Sequence, residues 1–168
     1  ALPTQLGNAM RSFELRAGER YGYQTLATWP RLYFQLPDRV ATSFHGAVDA
    51  LHSAVNFTLA FSVSGLMLLV AAVGKPAWWW WLPGGCLLAA VLAYRGALAA
   101  ARLVGLIAYV SFDLHRFDLL QALHRPLPKN GVQEVELAEQ ISKLLTEREP
   151  TKVRQLLQRV RYQHPPQP

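Results

Sequence analysis

The chain has 168 residues, 51% of them hydrophobic and 17% charged, with a formal net charge of +6. That length holds one membrane hairpin plus roughly a hundred further residues, which excludes an independent enzyme domain of ordinary size beside the hairpin. A single cysteine, Cys86, excludes an internal disulfide and a thiolate metal site of the usual kind.

From the N-terminus, residues 9–24 mix apolar and charged side chains at helical intervals, with Gly18 and Gly22 working against a continuous helix. The stretch Thr28 to Pro37 holds two prolines, three aromatics and one arginine. It reads as an irregular segment or short helix along the lipid headgroups, with Trp29 as an interface residue. The alternative is a loop packed on the chain's own helices. Residues 1–37 are thus a cytoplasmic or interfacial N-terminal segment.

Pro37-Asp38 opens a helix that meets no proline before Pro76. Its second half, about Ala54 to Val73, is uncharged and long enough to cross a hydrocarbon core of about 30 Å. Residues 74–78 turn the chain. Four tryptophans, Trp78, Trp79, Trp80 and Trp81, then lead into a second apolar run ending near Arg95. Indole rings favour the lipid–water boundary, so they suit that turn. No proline separates Pro83 from Pro126, and the second helix is predicted to continue to about Leu123. The expectation is an all-α membrane protein: a two-helix transmembrane hairpin over 38–125 with a cytoplasmic helical stalk. With near-equal rise on both sides, Asp49 falls level with Arg102, Arg39 with Asp113, and Asn56 with Arg95.

Leu127-Pro128-Lys129-Asn130-Gly131 breaks the second helix, and 126–168 form a small C-terminal helical tail. Val132 to Leu145 puts Val135, Ala138, Ile141 and Leu145 on one face, and Lys152 to Tyr162 puts Val153, Leu156, Leu157 and Val160 on another. His164 to Pro168 is too rich in proline to fold. Arg11, Arg16, Arg20, Arg31 and Arg39 precede the hairpin, and Arg95, Arg102, Arg116 and further cations follow it, whereas the turn carries only Lys75. The positive-inside rule therefore places both termini in the cytoplasm, and the protein in a cytoplasmic membrane. The first fifty residues hold no continuous apolar stretch of the signal-peptide kind.

Gly85, Ala89, Ala93, Ala97, Ala101 and Gly105 recur every fourth residue, a row that permits close helix packing in lipid. Four residues overshoot a turn, so about three members share one face. His45, Asp49, His52 and Asn56 lie on one face of the first helix. They are a polar stripe at the membrane entrance or, with a further ligand from His115, His124 or another copy, a zinc or iron site. Arg95, Arg102, Tyr109 and Arg116 repeat every seven residues. Arg95, just past the second span, suits a lipid phosphate; the other arginines suit snorkelling and salt bridges. Phe112 to Leu120 (FDLHRFDLL) gathers Asp, His and Arg without a nucleophile in a dry pocket, and reads as a charged helix end. The final basic helix (Lys152, Arg154, Arg159, Arg161) lacks interleaved aromatics and follows Glu147 and Glu149, which disfavours nucleic acid.

Tyr21-Gly22-Tyr23 with Trp29-Pro30-Arg31-Leu32-Tyr33, and Phe112 to Leu120 ending at Leu127-Pro128, resemble uncharacterised bacterial two-pass membrane proteins over most of residues 21–128. The resemblance implies a bacterial source, hence the bacterial inner membrane, and no particular activity. The functional expectation is a non-enzymatic membrane anchor or accessory subunit without a cofactor, whose partners are the bilayer and other membrane subunits or further copies. An oligomerising pore or membrane-disrupting effector, with Ser62 and Ser64 as its polar candidates, is the alternative. A metal- or haem-binding redox subunit through His45 and His52 is a distant third.

Overall fold

The computed structural model describes residues 4–158, 160 and 162. Among them the regular structure is helical: α1 (Gln5–Arg16), a 3-10 turn (Glu19–Tyr21), α2 (Thr25–Tyr33), α3 (Asp38–Ala71), a second 3-10 turn (Ala77–Trp80), α4 (Trp81–Ala122), α5 (Gly131–Thr146) and α6 (Pro150–Gln158). Arg159, Arg161 and the His164–Pro168 stretch, for which sequence expectations were given, lie outside the described residues.

The two long helices stand where the proline spacing placed them. α3 has 34 residues and α4 has 42, lengths of about 50 Å and about 60 Å. Both are long and apolar enough to cross a membrane. α3 gives way to Gly74, whose φ of 76° suits a residue without a Cβ. α4 accommodates Pro83 within its first turn, where a missing N–H leaves no intrahelical bond unmade. It ends in a Schellman arrangement: the His124 N–H donates to the Gln121 carbonyl and the Arg125 N–H to the Leu120 carbonyl. His124 takes the left-handed conformation there (φ 50°), and Pro126 follows, which prevents resumption.

The shorter elements depart more from expectation. α1 begins and ends earlier than 9–24, stopping short of Gly18. A Cβ at Gly18 would lie 2.9 Å from the Tyr23 Cβ and 3.1 Å from Phe112 Cε1, so the chain turns there against its own core. Residues 25–33 form a regular helix despite Pro30, with the Arg31 guanidinium donating to the Ala27 carbonyl at 2.8 Å. α5 is capped as its breaker cluster suggested. The Asn130 side chain accepts from the Gln133 N–H at 2.9 Å, and the Gln133 side chain accepts from the Lys129 N–H at 3.0 Å.

The chain divides into two compact units, Ala1–Met10 with Ser43–Val104, and Arg11–Thr42 with Gly105–Pro168. Each unit joins segments distant in sequence. In the first unit Leu51, Ala97 and Ala101 are buried together, with Leu6, Ala9 and Met10 of α1 packed on them. A Cβ at Gly96 would lie 3.9 Å from Ala54, and one at Gly65 would lie 2.8 Å from Leu87 and 3.5 Å from the Cys86 Cβ. Partners thus descend along α4 as the position climbs α3. In the second unit Leu32 of α2, Ala108, Phe112, Leu119 and Leu120 of α4, and Ala138 and Ile141 of α5 close one core around Tyr23. Residues from α2, the C-terminal part of α4 and α5 thus share the core of the second unit.

Candidate functional site

The surface that sets this chain apart is apolar and outward. In α3, Phe57, Leu59, Val63, Leu66, Met67 and Val70 are exposed. Only 6% of the helix's most apolar window is buried, against 39% for Ala77–Ala122. The hydroxyls within this stretch turn back on their own helix: Thr58 Oγ1 donates to the Ala54 carbonyl and Ser62 Oγ to the Thr58 carbonyl, each at 2.7 Å. Such back-bonding removes a polar group from any need of water. Ser64 lies on the exposed side. At the turn Trp78, Trp80 and Trp81 are exposed, while Trp79 is partly covered and stands under the Lys75 ammonium, 5.7 Å from its ring centroid.

The expected small-residue row is used in part. Ala97, Ala101 and Gly105 are buried, Ala89 and Ala93 half-buried, and Gly85 exposed with nothing within 4 Å of a Cβ placed on it. The buried row instead repeats every seven residues: Pro83, Ala90, Ala97, Val104 and Ser111. Seven residues make nearly two turns, whereas a four-residue step advances about 40° beyond one turn and leaves the interface. A row on α3 also steps by seven, through Phe44, Leu51, Thr58 and Gly65 and on to Ala72 just past its end, all buried or half-buried.

The polar stripe is intact as a stripe: His45, Asp49, His52 and Asn56 are all exposed. Among the described residues no group of three or more His, Cys, Asp or Glu side chains is placed to hold a metal ion. Asp49 and Arg102 form no ion pair among the described residues, since each faces away from the buried row. Arg95 and Arg102 are exposed, Tyr109 packs on the second core and Arg116 is largely covered. The stripe is exposed where it runs through the first unit and covered in the second, where the second core packs on Tyr109 and Glu134 pairs with Arg116.

Trp29 has its partners within the protein, 6.1 Å from the Phe112 ring and 6.2 Å from the Tyr33 ring by centroids. Of the two readings of its segment, packing on the chain's own helices describes this residue.

The second unit also contains a polar knot that sequence spacing did not reveal. Arg116 Nε donates to Glu134 Oε1 at 2.6 Å, and its terminal nitrogen donates to the Asp113 carbonyl. Its guanidinium lies between the Tyr21 and Phe117 rings, 4.3 Å and 4.4 Å from their centroids. Tyr21 donates its hydroxyl to Asp113 Oδ1 at 2.6 Å, and that bond, with burial and the Asp113 charge, raises the phenol's pKa. One arginine thereby ties the first 3-10 turn, α4 and α5. Nearby, Tyr23 is buried with no hydrogen-bond partner for its hydroxyl among the described residues, and burial pushes its pKa up to about 12. The FDLHRFDLL motif is thus a structural clasp. The one local signal was a pair of aromatics flanking an arginine, since Glu134 and Tyr21 lie far off in sequence. An open groove of about 450 Å³ beside α5 and α6 carries Lys143, Lys152 and Glu147, charges of both signs that favour no single ion. Comparison of the chain with protein-family models, curated proteins and solved structures finds no match.

Proposed function

We propose that this chain is a two-pass protein of a bacterial inner membrane, inserting α3 and α4 as an antiparallel hairpin with both termini cytoplasmic. In this reading it is a non-enzymatic anchor or accessory subunit of a larger membrane assembly. The observation that carries the reading is the bare apolar flank of α3. An apolar helix in the core of a water-soluble domain is covered on most sides, but only 6% of this window is buried. Some apolar medium must cover the rest, and its length matches a bilayer. The opposed order of contacts, Gly65 by Leu87 and Ala54 by Gly96, supports the hairpin. The exposed tryptophans between the helices suit an interfacial turn. The cytoplasmic side follows from the excess of arginine outside the turn.

Fractionation tests the reading. Expressed in bacteria, the protein is expected in the membrane pellet after an alkaline carbonate wash, and to require detergent for extraction. Recovery in the carbonate supernatant would overturn it.

A further inference from the structure

We propose that copies of this chain associate side by side in the membrane, the outer face of α3 in one copy meeting the outer face of α4 in the next. The inference rests on the hairpin reading above and names its partner: a second copy of this chain.

Two sets of side chains stand at matched depth. α3 exposes Asp49 and Asn56, seven residues apart, and α4 exposes Arg95 and Arg102, also seven apart. Each pair is separated by about 10.5 Å along its helix. The close approaches of Gly96 to Ala54 and of Gly65 to Leu87 set the levels of the two helices. Continued along both helices, they bring Asp49 to the level of residues 101–103, with Arg102 in the middle. They bring Asn56 to the level of residues 94–96, with Arg95 in the middle. A carboxylate and an amide thus stand on one helix at the heights where two guanidinium groups stand on the other.

Within one copy these groups cannot meet. Leu51 points into the seam with α4, and at about 100° per residue Asp49 and Asn56 lie on the far side of α3 from it. Arg95 and Arg102 are likewise turned outward from Ala97 and Ala101. The negative and polar face is at one edge of the hairpin and the positive face at the other. All copies enter the bilayer in the same orientation and to the same depth, so one copy's α3 edge finds the next copy's α4 edge already in register. Asp49 meets Arg102, Asn56 meets Arg95, and His52 falls opposite the small, exposed Ala99. Asn56 begins the apolar span, where an amide gains from a hydrogen-bond partner on another helix. Two different faces joined in this way make a heterologous contact, which closes into a ring or extends as a row.

Cross-linking in membranes tests this. In a Cys86→Ser background, Asp49→Cys and Arg102→Cys are made in separately tagged copies, co-expressed, and treated in isolated membranes with a short bis-maleimide. The mixed pair is expected to cross-link at least about fivefold more than either single variant with itself. Charge reversal supplies the second arm: Asp49→Arg should lower the oligomer recovered in nanodiscs, and Asp49→Arg with Arg102→Asp should restore it. Absence of the mixed product from protein that resists carbonate extraction would overturn the inference while leaving the membrane reading in place. A dominant Asp49→Cys self-product, or oligomer mass indifferent to Asp49→Arg, would overturn it too, the latter pointing to lipid phosphate as the ligand of the arginines. Loss of the protein to the carbonate supernatant would sink both.

Discussion

Arg116 allows the packing account of the second unit to be tested with numbers. Its side chain and that of Glu134 are 18% and 15% exposed, and their nitrogen and oxygen lie 2.6 Å apart. Substituting Arg116→Met leaves the Glu134 carboxylate largely covered without its cation, and removes the guanidinium from between two aromatic rings. Breaking one partner of a buried pair costs about 3–5 kcal/mol, and residual solvent here argues for the lower end, about 3 kcal/mol. Loss of two ring contacts, each about 0.5–1 kcal/mol, is partly offset because methionine fills some of the same space. Glu134→Met alone should cost less, about 2 kcal/mol, since Arg116 keeps the Asp113 carbonyl and both rings. The double variant buries no orphaned charge, and should be no less stable than Arg116→Met alone. Denaturant unfolding of detergent-solubilised protein, followed by circular dichroism, measures all four corners of the cycle. A coupling energy below about 0.5 kcal/mol would refute the reasoning, because the pair would then be a solvated surface contact.

Further outcomes follow from the same structure. Tyr23→Phe deletes a buried hydroxyl that has no partner among the described residues, and should raise stability by about 1 kcal/mol at neutral pH. The folded-state pKa of Tyr23, about 12, lies above the unfolded value near 10, so its neutral form stabilises the fold below pH 10 and that contribution fades as pH climbs toward 12. The advantage of Tyr23→Phe should therefore widen between pH 10 and 12 in paired unfolding curves, and a constant difference would contradict the burial argument. Gly65→Val places methyl groups where even a Cβ would lie 2.8 Å from Leu87, and overpacking there should cost about 1–3 kcal/mol. The same substitution at Gly85, where nothing lies within 4 Å, should cost less than about 1 kcal/mol.

The long elements were legible because length and proline spacing are read directly: α3 and α4 end within two residues of the expected limits. The face of α5 was legible in part: Ala138 and Ile141 are buried and Leu145 is half-buried, whereas Val135 at the helix start is exposed. The seam between α3 and α4 was harder to read. Inside an apolar helix the residues that face a partner and those that face outward are equally hydrophobic, so periodicity loses its contrast, and a four-residue alanine row looked like an interface of which only part is buried. α2 was obscured by Pro30, whose helix-breaking tendency is overridden by the packing of Leu32 and Trp29 on the second core. The Arg116 clasp depends on Tyr21 and Glu134 arriving from distant segments, which no spacing rule encodes.

The claim on which the account stands is that α3 and α4 cross a bilayer with the tryptophan turn on the far side from the termini. Lys75→Cys in a Cys86→Ser background, exposed to a membrane-impermeant maleimide, tests it most directly. The account predicts labelling in spheroplasts and protection in sealed inverted vesicles. Labelling confined to the inverted vesicles would contradict it.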